Sequence, residues 1–118
     1  MSSDLKQRTK AFALRIIRLY SALPNTTVAQ VLGKQILRSG TSVGAHYREA
    51  HRPRSTAEFV SKLNGGLQEL EETVYWLELL AESETLKPSR LNPLAQEADE
   101  LTAILVTLIK NAKNKEPA

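Results

Sequence analysis

Basic side chains recur at helical spacing along residues 27–52, which makes this the segment best suited to bind phosphate. Lys34, Arg38, Arg48 and Arg52 fall within an arc of about 80° if the segment is a helix that advances about 100° per residue. Such a row of cations suits a nucleic-acid backbone, whose phosphates dominate sequence-independent affinity. A solvated helix face, or a face ion-paired to a neighbouring helix, would have the same pattern. The spacing therefore leaves both interpretations open.

The charged residues are divided unevenly between the two halves of the chain. Residues 1–54 contain ten Lys or Arg and two acids, whereas residues 55–118 contain six and eleven. This asymmetry predicts either a basic face for nucleic acid or attraction between copies of the chain, basic half to acidic half. We expect Arg38 to pair with acids of the third helix. The residues predicted to contact nucleic acid are Arg8, Arg15, Lys34, Arg48, Arg52 and Arg54.

Residues that could support catalysis or hold a metal ion are few. His46 and His51 are the only histidines, and they lie about 140° apart on a helix, so one face cannot present both. His46 and Glu49 have helical spacing for two metal ligands, but the chain has no cysteine and no Gly-rich phosphate loop. We therefore expect no catalytic residue, no metal site and no cofactor, and we predict that the protein is not an enzyme.

Apolar residues recur with the period of an α-helix along nearly the whole chain, and no segment is typical of a strand. Pro24 and Pro53 end the first two periodic segments, and Ser55 with Glu58 is typical of a capping box before the third. Pro93 suits the first turn of the fourth. Because the links are short, the pattern predicts an all-α, antiparallel up-and-down four-helix bundle. The predicted helices span about 3–23, 27–52, 55–84 and 89–114.

Small residues form a further pattern on the second helix, beside its core stripe. Gly33, Gly40 and Gly44 share one flank, where each costs about 1 kcal/mol of helix stability relative to alanine. Close approach of another helix would offset this cost, either within the subunit or between subunits. The residues predicted at an oligomer or helix interface are Gly40, Gly44, Glu69, Glu72 and Trp76. The predicted core stripe is Val28, Leu32, Ile36, Ser39, Val43, Tyr47 and Ala50.

The composition is that of an ordinary globular protein. A chain of 118 residues with 42% hydrophobic residues is enough for a single domain, residues 1–118, with its own core. No apolar run approaches the ~18 residues that suggest a membrane span, and the N-terminus lacks the layout of a signal peptide. We expect a cytoplasmic protein with no membrane partner.

The stretch from Gln35 to Leu80 resembles a bacterial four-helix-bundle family, the 23S rRNA intervening-sequence proteins, also called S23 ribosomal proteins. His46 is a departure, because the family commonly has asparagine there. The residues that carry the resemblance are Gln35-Ile36-Leu37-Arg38-Ser39-Gly40-Thr41-Ser42-Val43-Gly44-Ala45, Tyr47-Arg48-Glu49-Ala50, Glu58-Phe59, Lys62-Leu63, Glu69, Glu72-Thr73 and Trp76-Leu77-Glu78-Leu79-Leu80.

This resemblance implies a homopentameric ring of four-helix bundles. It also implies a likeness to the accessory protein of diversity-generating retroelements, which binds nucleic acid and reverse transcriptase. In such a ring, basic helices of one subunit would meet the acidic third helix of the next. The resulting prediction is an oligomer that binds RNA or DNA weakly through a basic surface. The alternative is a protein–protein scaffold or adaptor, for example for a reverse transcriptase, without direct nucleic-acid binding.

Overall fold

The computed structural model describes residues 2–52 and 55–115, which form four α-helices and no strand. The helices are antiparallel and form a bundle of 52 × 21 × 20 Å, so the predicted fold class is confirmed. Each helix begins and ends within two residues of the predicted bounds. None of these helices is both long enough and apolar enough to span a membrane. The bounds are α1 Ser2–Ser21, α2 Thr27–Ala50, α3 Thr56–Glu82 and α4 Pro88–Asn114.

The core runs along the axis of the bundle and is built from one stripe of each helix. Phe12, Ile36, Leu70 and Leu101 are fully buried at its centre. Helix α1 shows how closely periodicity determines the stripe, since five apolar residues that recur at helical spacing along this segment are all buried. They are Leu5, Phe12, Ile16, Leu19 and Leu23, the last lying just beyond the helix.

The first turn of α2 departs from the predicted core stripe. Val28 is 55% exposed, and Ala29 is fully buried in its place. The two residues lie about 100° apart on the helix, so only one can face the core. Thr26 caps this helix, because its hydroxyl oxygen accepts a hydrogen bond from the Ala29 amide at 3.2 Å. The prediction that the larger apolar residue, Val28, faces the core is therefore wrong for this turn of α2.

The start of α4 also differs from the expectation. The helix begins at Pro88, whose fixed φ suits the first helical position, and Lys87 precedes it without a side-chain cap. Pro93 is the sixth residue and lies inside the helix rather than in its first turn. A capping box does not mark this start. Ser55 does cap α3, where its side chain accepts from the Glu58 amide at 3.1 Å.

Glycines on one flank of α2 bring that helix against α1 of the same subunit. A Cβ added at Gly40 would lie 2.7 Å from Ile16 Cγ1, and one at Gly33 would lie 2.6 Å from Leu23 Cδ1. At Gly44 the nearest atom would be Thr9 Oγ1, at 3.2 Å. Of the two alternatives for these small residues, the structure shows packing within the subunit.

The other flank of α2 meets α3 through polar contacts. Ser39 and Thr73 are fully buried, and their hydroxyl oxygens lie 2.8 Å apart. The Thr73 hydroxyl also donates to the Glu69 carbonyl oxygen at 2.8 Å. Nearby, the ring of His46 lies so close to Gly65 that an added Cβ would be 2.9 Å from it. This flank therefore depends on hydrogen bonds that the buried hydroxyls satisfy together.

Candidate nucleic-acid interface

The predicted row of cations on α2 is divided by the way the helices pack. Arg38 turns toward α3, where it donates hydrogen bonds to Glu72 Oε1 at 2.7 Å and Glu69 Oε2 at 3.2 Å. Arg48 turns toward α1 instead. The expected pairing of Arg38 with the third helix is confirmed. A continuous phosphate-binding row along α2 is not formed, because one of its charges is neutralised within the subunit.

Arg48 instead joins two lysines of α1, and we call Lys6, Lys10 and Arg48 the α1–α2 basic cluster. The three side chains line a surface cavity of about 720 Å³, together with Gln7 and Leu14. Among residues 2–52 and 55–115, no carboxylate lies within ion-pair distance of any of the three. Cations that share a concave surface without counter-charges concentrate positive potential there. This arrangement suits an anionic polymer.

Further cations reach the same end of the bundle from α4. Because cations of three helices meet where α1 and α3 begin and α2 and α4 finish, we call this end of the bundle the basic end. Arg52 and Lys115 line one cavity at this end, although they are far apart in sequence. Lys110 and Lys113 precede Lys115 on the last turns of α4 and are exposed. Sequence reasoning missed these three lysines because they belong to the acidic half, yet the antiparallel topology places them here.

Arg8 has a partner within the subunit. Its guanidinium donates to Glu97 Oε1 at 2.7 Å and to Glu100 Oε1 at 3.2 Å, which connects α1 to α4. The hydrogen bond to Glu97 raises the pKa of Arg8 against the opposing effect of burial, and Glu100 adds to the rise. Because two carboxylates neutralise the Arg8 guanidinium within the subunit, Arg8 is a poor candidate for binding phosphate.

The remaining predicted contacts lie elsewhere. Arg15 lines a smaller cavity of about 300 Å³ between α1 and α4, together with Arg18 and Arg90. Lys34 is exposed in the first half of α2, also far from the basic end. Arg54 lies outside the described residues. The structure therefore brings Arg48 and Arg52 to the basic end and leaves Arg15 and Lys34 toward the opposite end.

Two of the predicted interface residues of α3, Glu69 and Glu72, lie along its contact with α2. Glu69 and Glu72 both accept hydrogen bonds from Arg38 of the same subunit. Trp76 is half-buried against the core, and its indole Nε1 is buried without a hydrogen-bond partner among the described residues. Both carboxylates thus serve a helix interface within the subunit.

His46 lies between two carboxylates without a hydrogen bond to either. Its Nδ1 is buried and is 3.7 Å from Glu49 Oε1, while Nε2 is 3.9 Å from Glu69 Oε2. The two carboxylates lie nearest to different ring nitrogens, so they do not face the same nitrogen of His46. Across the part of the chain that the structure describes, no three His, Asp or Glu side chains gather as a metal ion would require.

These helices and contacts define a class of protein, the antiparallel four-helix bundle. A family model described as 23S rRNA-intervening sequence protein matches residues 1–107, and the chain belongs to this family. It is similar to a protein of unknown function from the S23 ribosomal protein family of Bacteroides thetaiotaomicron VPI-5482. The two sequences are 41% identical, and the match covers 92% of this chain and 97% of the chain in that crystal structure. The two structures superpose with a TM-score of 0.87. No curated protein matches. The family predicted from the sequence is confirmed.

Proposed function

We propose that this protein is a non-enzymatic, homo-oligomeric four-helix bundle of the cytoplasm that binds RNA or DNA weakly through its basic end. The observation that supports the proposal best is the α1–α2 basic cluster, in which Lys6, Lys10 and Arg48 share a concave surface without a carboxylate partner in the described residues. Arg52 and Lys115 extend this surface around the basic end. Phosphate contacts of this kind fix a nucleic acid in place but carry no sequence information.

The oligomer in this proposal joins faces of opposite charge. The outer face of α1 carries Arg18 beside an exposed apolar residue, Ile17, which is 42% exposed. The outer face of α3 carries exposed Glu71 and Glu78 beside Tyr75, which is 52% exposed. Faces that differ from each other favour head-to-tail association, which closes into a ring when the rotation allows. The proposed number of subunits, five, is the number that the family resemblance implies.

The direct test is fluorescence anisotropy of a labelled ribosomal RNA hairpin titrated with the protein at several salt concentrations. We expect affinity to fall steeply with salt, because phosphate binding releases counterions. Lys10→Glu with Arg48→Glu should weaken binding at least about tenfold and should lower the log–log salt slope by about one for each phosphate that the variant no longer neutralises. The oligomer mass should stay the same. An affinity insensitive to salt would contradict the proposal.

A matched control carries the same change of charge at the opposite end. Lys34 and Lys87 are exposed, and neither is within ion-pair distance of a carboxylate in residues 2–52 and 55–115. Lys34→Glu with Lys87→Glu should therefore weaken RNA binding much less. An equal effect of both double variants would show that total charge, rather than the basic end, determines affinity. A fall in mass with Lys10→Glu and Arg48→Glu would assign those residues to the subunit interface.

A second candidate function is a scaffold or adaptor that binds a protein partner, such as a reverse transcriptase, and no nucleic acid. The observation that favours it is the exposure of large apolar side chains on several helices, with Val28 and Val31 each 55% exposed and Val106 47% exposed. The ratio of absorbance at 260 and 280 nm of freshly purified protein separates the candidates. Co-purified nucleic acid supports the first candidate, whereas clean protein that fails to bind the hairpin at low salt supports the second.

A further inference from the structure

A second cavity at the basic end has the size and lining of a small-ligand site. It has a volume of about 590 Å³ and lies where the end of α2, the start of α3 and the end of α4 meet. Ligand pockets commonly fall between about 300 and 1,000 Å³ and combine an apolar wall with a few polar groups. Here Phe59, Leu108 and Ala112 supply apolar surface, while Arg52, Asn111 and Lys115 supply polar groups.

One wall of this cavity is aromatic. The His51 ring lies against Tyr47, with centroids 4.4 Å apart, and against Phe59, with centroids 6.0 Å apart. Both contacts are edge-to-face, and Phe59 is half-buried while His51 is exposed. Tyr47 is itself buried, so His51 and Phe59 are the rings that line the cavity. An aromatic surface of this kind accepts the flat face of a nucleobase, whatever its sequence identity.

The charges around the cavity select an anion. Arg52 and Lys115 are both exposed, and neither forms an ion pair with a carboxylate among the residues that the structure describes. They approach the cavity from different helices, Arg52 from just beyond α2 and Lys115 from just beyond α4. The first turn of α3 lies at the same place and contains one acid, Glu58, so the positive charge at the cavity comes from Arg52 and Lys115. A phosphate held here would contact two cations and would still lie beside the apolar wall.

We infer that this cavity binds a nucleoside monophosphate unit, with the base against Phe59, Leu108 and Ala112 and the phosphate between Arg52 and Lys115. The unit is either a free nucleotide or the phosphorylated terminal residue of an RNA. The second form deepens the proposed function and rests on it. The cavity is separate from the α1–α2 basic cluster, because the two share no lining residue.

The test is a titration of the full chain with AMP, followed by NMR of methyl-labelled leucine and alanine. Saturable shifts should be confined to the methyl groups that line the cavity, those of Ala50, Leu108 and Ala112. Lys115→Gln should weaken AMP binding about tenfold, the usual effect of removing a charged hydrogen bond. Lys113→Gln is the matched control, because it removes the same charge from the same end of α4 without lining the cavity. Its effect should be negligible.

A second variant tests the site by filling it. Ala112→Phe places a ring in the cavity without changing the charge, so it should abolish AMP binding while a thermal melt shows a folded protein. The inference is wrong if AMP gives no saturable shifts and terminal phosphates also have no effect on RNA binding. It is also wrong if Lys115→Gln and Lys113→Gln weaken AMP binding equally, or if folded Ala112→Phe protein still binds AMP.

The two sources of the ligand are separated by RNA ends. One short single-stranded RNA is compared with a 5′-phosphate, with a 3′-phosphate and with hydroxyl groups at both ends. Tighter binding of a phosphorylated form, abolished in Ala112→Phe, identifies an RNA end as the ligand. AMP binding without any effect of the RNA ends identifies a free nucleotide. Lys10→Glu with Arg48→Glu should leave AMP binding unchanged, so failure of the proposed RNA surface and failure of this site are observed separately.

Discussion

On the flank of α2 that faces α1, Gly33, Gly40 and Gly44 bring the helix backbone against side chains of the neighbouring helix. On the flank that faces α3, Ser39 and Arg38 form hydrogen bonds and ion pairs instead. The first flank gains stability from close packing of apolar atoms, which depends on the absence of Cβ atoms. The second depends on polar groups that satisfy one another. Two neighbouring helices are thus held to α2 by different kinds of interaction.

This difference determines which arginines of α2 are available to a ligand. Arg38 lies beside α3, whose acids Glu69 and Glu72 neutralise it. Arg48 lies beside α1, which contains a single acid, Asp4, and presents Lys6 and Lys10 to it. Arg48 therefore keeps its charge free because of the helix it adjoins, and the charge composition of the partner helix separates structural cations from candidate binding cations.

The largest expected effect comes from adding a side chain to the glycine flank. Gly40→Leu should lower the free energy of unfolding by about 3 kcal/mol, because even its Cβ would overlap Ile16, a fully buried residue. Urea denaturation monitored by circular dichroism measures the change. Wild-type stability and mass in this variant would show that α1 and α2 do not require close approach.

The next largest effect is expected on the polar flank. Thr73→Val should cost about 1.5 kcal/mol, because it removes the partner of the buried Ser39 hydroxyl, which then has only the Ile36 carbonyl oxygen at 3.4 Å. A double-mutant cycle with Ser39→Ala, measured by urea denaturation, isolates the pair. A coupling energy near zero would mean that the two hydroxyls contribute independently and that this flank does not rely on their contact.

Alanine at two glycines sharpens the comparison, because the same substitution should have opposite signs. Gly66→Ala should stabilise the protein by about 1 kcal/mol through helix propensity, since the nearest atom to its Cβ, His46 Cβ, is at an ordinary 3.5 Å. Gly40→Ala should destabilise, since its Cβ would lie 2.7 Å from Ile16. Melting temperatures of the two variants give the signs. Equal signs would remove the distinction between the flanks.

The smallest effect is expected from the ion pairs of Arg38. Arg38→Gln should cost about 0.5 kcal/mol, because the arginine side chain is 53% exposed and solvent screens such pairs. The cost should shrink further in high salt. Denaturation at two salt concentrations measures it, and the same variant should bind the RNA hairpin as the wild type does. Weakened RNA binding would place Arg38 among the ligand contacts.

The helices and most of the core could be predicted because each amphipathic stripe is local to its own segment. The exposure of Val28 could not, because the phase of a helix end depends on which neighbour covers it. The division of the α2 cations between two neighbouring helices could not be predicted either. The cations share one face of about 80° on α2, but that face borders both α1 and α3, and the sequence of α2 does not show which neighbour each cation meets. Lys110, Lys113 and Lys115 were missed because charge was counted along the chain, whereas antiparallel topology groups residues by the end of the bundle.

Among neighbouring helices of the bundle, the backbones of the first and last, α1 and α4, make the fewest close approaches, and there Arg8 binds Glu97 and Glu100. Helices α2 and α3 each lie against two neighbours along their length, whereas α1 and α4 each depend mainly on one. We therefore expect the outer helices to unfold locally before the whole bundle does, and amide hydrogen exchange detects such partial unfolding. Deuterium should enter α1 and α4 through partial openings, while the amides of α2 and α3 exchange only when the whole chain unfolds.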